Sequence, residues 1–404
     1  MSRLPGRRET PWAAIGEDWF NTLGEMKGAA MKLGQLASQY ADLLPPELAA
    51  PLARLQREAV PRAFAEIDAV LRQQWSAQAW AQIDWLDPTA MAAASIGQVH
   101  RARLVDGREV VVKVRYPGVA EAVDEDVDAL GRLLRMGRLL QIDRAALDGL
   151  LAEVRVRFRE ETDYAQELRH LENLRARAAH PAVRYPEPVP ELCGEAVLVT
   201  RYCPADALAE AVRYPQPVRD RLGTVLLEWS LSQVFQAGVI HADPHPGNFG
   251  FSMDGTITVY DFGCVKPLAS RLPPQLLKGL SAALDGDVAA LHAVLFVLDA
   301  LPVDAHDPQV RQQIGTTLAP AYRAMLEVTV DRLVSAPQFD FADTELIDEA
   351  RRVVRQHLRL WRLFRPVPPL AFAARAVSGH YWMLRALGAR VPVAGLLRHW
   401  SDTP

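Results

Sequence analysis

A polar, proline-broken stretch followed by a tight return constrains this fold most. His241-Ala242-Asp243-Pro244-His245-Pro246-Gly247-Asn248 is followed, after two short apolar runs, by Asp261-Phe262-Gly263. The runs Phe249 to Phe251 and Thr256 to Tyr260 flank Asp254-Gly255, a pair that supplies the positive φ a tight hairpin needs. A hairpin there returns the chain, so that Asn248 and Asp261, 13 residues apart, come within reach of one metal ion. Phosphoryl transfer needs such parts: a carboxylate near the nucleophile, here Asp243, and oxygen ligands for a Mg²⁺ that bridges phosphates. A mere polar turn with surface carboxylates would leave the order and spacing of the two motifs unexplained. His241 and His245 are four apart, but Pro244 and Pro246 disfavour a helix, so a shared zinc ion is not expected. A structural hydrogen bond from His241 is expected instead.

Around this stretch the chain divides by pattern. Residues 18 to 82 read as helices, with Leu44-Pro45-Pro46-Glu47 restarting the helical period. Residues 99 to 104 and 109 to 114 are β-rich runs on either side of Asp106-Gly107, a second hairpin signal. Helical periodicity returns from 119 to 179, Glu195 to Thr200 is a further strand candidate, and the chain is mainly helical from 206 onward. These runs predict an α+β, two-lobed architecture. A small β-containing lobe at 87–200 is expected between a helical extension at 1–86 and a large helical lobe at 201–404. The 404 residues carry a net charge of −4, which argues against nucleic acid as a partner. Three cysteines without paired spacing fit a reducing, cytoplasmic setting. No uncharged apolar run is long enough to span a membrane.

Lys113, in Val110-Val111-Val112-Lys113-Val114, has the strand context of a lysine that grips α- and β-phosphates. Ala93-Ala94-Ser95-Ile96-Gly97-Gln98 precedes it in the place of a glycine-rich phosphate loop. Small side chains let the backbone N–H groups approach phosphate oxygens, and alanine makes the loop stiffer than glycine would. A small-residue turn is the equal alternative on that segment alone. The lysine needs an acidic partner, and Glu160, Glu161, Asp163 and Glu167 are read as lying on one helix. Spacing does not choose among them, and a solvated acidic face is the ordinary account of such a cluster.

With these motifs in order, the sequence resembles the UbiB (AarF) family of atypical kinases, associated with ubiquinone synthesis and isoprenoid-lipid metabolism. Lys32-Leu33-Gly34-Gln35 matches that family's K-x-G-Q signature, and Leu44-Pro45-Pro46-Glu47-Leu48 follows it. Ala93 to His100, Lys113 to Val119 and Glu161-Thr162-Asp163-Tyr164 continue the series. The resemblance implies a protein-kinase-like fold with ATP and Mg²⁺ as cofactors and the N-terminal helices over the active site. It places the phosphate loop at Ala93 to Gln98, pairs Lys113 with Glu167, puts Asp243 at the catalytic-loop position and gives Asn248 and Asp261 the metal. It sets Lys32 and Gln35 against Glu161 and Asp163 in a regulatory cover, and backbone groups near Arg201 and Cys203 on the adenine.

Two departures from ordinary protein kinases bear on substrate. Ala242 stands where those enzymes carry an arginine, and about 20 residues separate Gly263 from the next helical pattern, with no Ala-Pro-Glu motif. A small-molecule or lipid-like substrate, or ATPase-driven work, is expected in place of a protein acceptor, with quinone-biosynthesis enzymes as partners. Arg351 to Arg365 reads as a basic amphipathic helix, suited to peripheral contact with anionic lipid or to a solvated face packed on the helical lobe. Two other classes stay open: a nucleotide-binding scaffold that transfers no phosphate, and a phosphotransferase of the aminoglycoside or choline kinase type, whose loop also reads His-x-Asp-x-His-Pro-Gly-Asn. Lys32 to Gln35 and the alanine-rich loop argue against the last.

Overall fold

The computed structural model describes residues 62–93, 96–136, 144–301, 307–361, 363–365 and 367–402. Lys32, Gln35, Ala94 and Ser95, with most of the expected helical extension, lie outside the described residues. The chain forms two compact units: one holds the residues up to Arg169 together with Glu187–Tyr202, the other His170–Pro186 and everything from Cys203 onward.

The first unit is built on a four-stranded antiparallel sheet, in the order β1 (Ile83–Ala93), β2 (Gly97–Leu104), β3 (Glu109–Arg115) and β4 (Val197–Arg201). Gly107, at φ 88°, makes the expected turn between β2 and β3. Alternation in β3 sends Val110, Val112 and Val114 into the core with Val197 and Val199 of β4, and that core also takes Ile67 and Leu71 of α1 (Phe64–Gln74). Just past α1, Trp75 donates its indole N–H to the Leu192 carbonyl at 2.9 Å, which ties the helix end to the short turn Pro190–Leu192 that precedes β4.

Sequence patterning did not reveal β1. Asp84, Asp87 and Pro88 interrupt its alternation, and its register with β2 slips between Leu86 and Ala90, where Pro88 has no regular ladder to break. An edge strand tolerates a proline in that position.

Helices α2 (Val119–Met136), α3 (Arg144–Thr162) and α4 (Tyr164–Arg177) follow. The single helix expected through Glu160, Glu161, Asp163 and Glu167 is therefore corrected to two. Asp163 interrupts it: its carboxylate accepts from the Gln166 N–H at 3.1 Å, as a helix-starting cap does, while the next N–H, on Tyr164, bonds the Glu195 carbonyl at 3.0 Å.

In the second unit, α5 (Gln216–Ser232) buries Leu222, Leu226 and Trp229 in a core shared with Met383, Leu384 and Leu387. Two small sheets sit beside it. One pairs β5 (Val239–His241) with β8 (Val265–Pro267); the other pairs β6 (Phe249–Phe251) with β7 (Ile257–Val259), with Val183–Arg184 parallel to β7. Gly255, at φ 81°, makes the β6–β7 turn. Helices α6 (Leu272–Leu284), α7 (Val288–Val297), α8 (Pro308–Leu326), α9 (Glu345–Gln356), α10 (Pro368–Leu387) and α11 (Val393–Ser401) complete the unit.

Two expectations change here. Only Cys264–Arg271 separate Gly263 from α6, far fewer than the 20 or so residues expected, because β8 forms at once. The stretch from Arg351 to Arg365 is not one amphipathic helix. α9 stops at Gln356, His357 leaves helical geometry, and Leu358–Trp361 make a separate turn. The cause is packing: Leu360, Leu363 and Phe364 turn onto Leu301, Leu318 and Tyr322 inside the protein, and the Arg365 N–H bonds the Ala300 carbonyl at 2.9 Å. Among the described residues no helix is long and apolar enough to cross a membrane.

Candidate active site

Each unit, taken by itself, carries one set of polar side chains. In the first, the valines of β3 occupy the core face, so Lys113 projects from the opposite one. Its ammonium donates to both Glu167 carboxylate oxygens, at 2.7 and 2.8 Å, and lies 5.0 Å from the centre of the Tyr164 ring. The pair is largely withdrawn from solvent, with Lys113 14% and Glu167 3% exposed. Glu167 belongs to the first turn of α4, where the helix dipole favours an anion. The cap at Asp163 starts α4 at Tyr164, and so fixes which acid reaches the lysine.

The alanine-rich segment is a strand end in part. Ala93 pairs with Gln98, and the Ile96 carbonyl accepts from the Tyr116 N–H at 2.8 Å. Gly97 is needed for close packing: a Cβ there would lie 2.4 Å from the Val114 carbonyl oxygen and 2.5 Å from the Tyr164 hydroxyl.

Two side chains of this segment are engaged with the protein itself. Ile96 is buried in the core. Gln98 is 1% exposed, accepts from the Arg62 N–H at 2.9 Å, donates to the Arg62 carbonyl and lies 2.9 Å from His100 Nε2. His100 Nδ1 in turn donates to the Asp87 carbonyl at 2.8 Å, and burial holds the imidazole's pKa down, keeping it neutral. Gln98 therefore fastens the Arg62 backbone to the sheet.

Arg201 ends β4 with its guanidinium exposed and 3.9 Å from Glu187, while the neighbouring Tyr202 N–H bonds the Glu109 carbonyl. In the second unit, the Cys203 carbonyl accepts from the Tyr260 hydroxyl at 2.8 Å. Gly250 makes room for that ring, since a Cβ there would lie 2.5 Å from the Tyr260 hydroxyl.

The second set of polar groups is gathered by the β6–β7 hairpin. Phe249 faces Val259, and the Tyr260 N–H bonds the Asn248 carbonyl at 2.9 Å, which brings Asp261 back beside Asn248. Asn248 donates its amide N–H to the Asp243 carbonyl at 3.0 Å and to Asp243 Oδ2 at 2.9 Å. Asp243 Oδ1 accepts from the guanidinium of Arg375 on α10. His241 is fully buried, and its Nε2 must carry the proton it donates to the Asp261 carbonyl at 2.7 Å. Its own N–H is held by the buried Gln233 side chain at 2.6 Å. The Asp261 carboxylate accepts from the Gly263 N–H at 3.0 Å, and His170 Nδ1 donates to the Phe262 carbonyl, also at 3.0 Å. His245 Nδ1 accepts the Gly247 N–H at 3.1 Å.

The donor chemistry of this second set suits Mg²⁺. The Asn248 amide nitrogen is turned to Asp243, which leaves its oxygen facing away, and Asp261 adds a carboxylate held by its own backbone. Mg²⁺ takes one or two such oxygens and completes its shell with water and phosphate. No group of three or more His, Cys, Asp or Glu side chains suited to a metal occurs among the described residues, so the donors do not form a self-sufficient protein cage. Arg375, His170, Gln233 and Tyr260 had no sequence signal that singled them out. Arg375 in particular lies 132 residues from its partner, within a helix that reads as ordinary packing.

An antiparallel sheet carrying a buried lysine–glutamate pair, and a helical unit with an Asp-Asn-Asp hairpin, define a kinase-like protein. Residues 54–295 match the family described as the ABC1 atypical kinase-like domain, and the chain belongs to that family. It is 29% identical over 388 residues to the mitochondrial atypical kinase coq-8 of Caenorhabditis elegans, covering 93% of this chain and 49% of that one. To the mitochondrial atypical kinase COQ8 of Saccharomyces cerevisiae it is again 29% identical, covering 94% of this chain and 74% of the relative. The chain thus spans only about half the length of the nematode relative. A solved structure of Rv3197 with erythromycin, from Mycobacterium tuberculosis, matches with a TM-score of 0.61 at 26% identity, covering 95% of this chain and 94% of that one.

Proposed function

We propose that this chain is a Mg·ATP-dependent atypical kinase or ATPase of the UbiB type, acting in ubiquinone or isoprenoid-lipid metabolism. The observation that carries the proposal is the Lys113–Glu167 pair, a buried ammonium held by both oxygens of one carboxylate. Holding the ammonium in one place serves binding of the α- and β-phosphates better than it serves stability, since a buried ion pair is a weak stabilising device.

In this reading backbone groups of Ala93 to Gln98 bind the phosphates, and backbone groups near Arg201 and Cys203 meet the adenine. Asn248 and Asp261 hold Mg²⁺, which neutralises phosphate charge when bound, and Asp243 orients the acceptor. Lys32 and Gln35 act on Glu161 and Asp163 as a regulatory cover. The eight residues from Cys264 to Arg271 leave little chain for docking a peptide, which favours a small or lipid-like acceptor and a peripheral place at a membrane surface. Enzymes of quinone biosynthesis are the partners this implies.

Purified protein tests the proposal: Mg²⁺-dependent ATP turnover is expected, rising with anionic liposomes and quinone-like phenols. A protein that binds no nucleotide by calorimetry refutes it. One observation favours a second reading, a nucleotide-binding scaffold: both Asp243 oxygens are engaged, one by Arg375 and one by Asn248. Arg375→Ala separates the two. Lower turnover at unchanged nucleotide affinity makes Arg375 an orienting group, whereas turnover that appears only in the variant makes it a guard on an idle carboxylate.

A further inference from the structure

We propose that His170 is a positioning residue for Asp261, acting through the Phe262–Gly263 peptide. The inference rests on the metal-binding role proposed above for Asp261 and extends it to a residue on another element.

The geometry is a two-step relay. His170 Nδ1 donates to the Phe262 carbonyl at 3.0 Å, and the Gly263 N–H donates to Asp261 Oδ1 at 3.0 Å. That carbonyl and that N–H belong to one planar peptide group, so fixing its oxygen end fixes the direction of its hydrogen end. A donor on the carbonyl also polarises the peptide and strengthens the bond its N–H makes. The preceding peptide is held in the same manner, by His241 Nε2 on the Asp261 carbonyl at 2.7 Å. Two imidazoles from different elements thus clamp consecutive carbonyls around the carboxylate.

His170 is well placed to act as a fixed donor. It lies on α4, where the following Leu171 and Leu174 are buried in the second unit's core and set the helix against rotation. Its Nδ1 carries the proton of this bond, because a carbonyl oxygen only accepts. Glu167, the partner of Lys113, stands three residues earlier on the same helix. Loss of the His170 bond leaves the peptide free to turn and the Asp261 carboxylate without a fixed aim.

The test compares His170→Ala with His170→Asn, whose amide nitrogen reaches about where Nδ1 stands, and His170→Gln, whose donor is displaced by one bond. Two readouts are taken on the full chain. The first is amide exchange over Asp261 to Cys264 without metal; the second is the Mg²⁺ concentration needed for half-maximal ADP binding. Loss of one hydrogen bond corresponds to roughly a three- to tenfold change. Ala and Gln are expected to speed exchange and raise the Mg²⁺ requirement by that factor, with Asn within about twofold of the parent. Exchange unchanged in Ala, or faster in Asn and Ala alike, overturns the inference. Should Ala fail to fold, the Asn and Gln pair decides. A parent protein that binds no Mg·ADP refutes the proposed function instead, and metal-free exchange still judges His170.

Discussion

Replacing Lys113 by methionine keeps most of the side-chain stem and removes only the ammonium. Glu167 is then left 3% exposed without the cation that faces both its oxygens. Breaking a buried pair from one side costs about 3–5 kcal/mol. Lys113 keeps 14% exposure, which places this pair at the lower end, about 3 kcal/mol. In a unit of roughly 150–250 residues each kcal/mol moves the midpoint by about 2–4 °C, so Tm should fall by about 6–12 °C. Adding Glu167→Leu to Lys113→Met replaces both charges by apolar groups and should recover much of the loss, with a coupling energy of about 2 kcal/mol. Scanning calorimetry of the parent, both single variants and the double variant closes the cycle. A fall under about 2 °C for Lys113→Met, or a double variant that loses the sum of the two singles, would refute the argument that the pair is a buried charge clamp.

Three further outcomes are expected. Asp261→Asn should abolish Mg²⁺-dependent nucleotide binding while circular dichroism and Tm stay near those of the parent; unchanged affinity by calorimetry contradicts the metal role. Burial and the nearby His241 push the His380 pKa down to about 3, below the ordinary value of 6.5. The unfolded chain therefore takes up a proton below pH 6.5 that the folded chain refuses, and stability falls from there toward pH 3 by about 1.4 kcal/mol per pH unit for this group. His380→Leu should flatten the urea midpoint between pH 7.5 and 5.5, and an unaltered slope shows that the ring titrates normally. Gly97→Ala would force a methyl within 2.5 Å of Val114 and Tyr164 atoms, and should cost about 2 kcal/mol in denaturant titrations.

The sequence made visible whatever is encoded within a dozen residues. Asp106-Gly107 and Asp254-Gly255 announce their hairpins because only a few residue types accept positive φ. The second of these brings Asn248 and Asp261 together, so half of the candidate site follows from one turn. β1 was hidden because its pairing tolerates a register slip around Pro88, which breaks the period that betrays a strand. The partner of Lys113 was ambiguous for a related reason. Helical spacing offered four acids while Asp163 was read as part of the helix, and only the cap it forms divides α3 from α4. Arg351 to Arg365 left two readings open because composition does not say whether Leu360, Leu363 and Phe364 face lipid or protein; they pack on Leu301, Leu318 and Tyr322. Arg375 and His170 depend on contacts made across 132 and 92 residues, and no local pattern reports those.

The two sets of functional groups are held by different physics, and this separates how they should fail. Lys113 and Glu167 are held by mutual charge in a water-poor place, so damage there appears first as lost stability. Asp261 and its neighbours are held by N–H donors on carbonyls, from His241, His170 and the Gly263 amide. Each such bond contributes only about 1 kcal/mol net, too little to unfold the unit when one is lost. It is enough to turn a carboxylate away from a metal ion that demands octahedral geometry. Variants of the β6–β7 side should therefore keep their melting temperature and change their Mg²⁺ dependence, while variants of the β3–α4 pair should lose melting temperature together with nucleotide affinity. A His170 variant that melts early with normal Mg²⁺ dependence would mean that the imidazole fills space and does not aim a ligand.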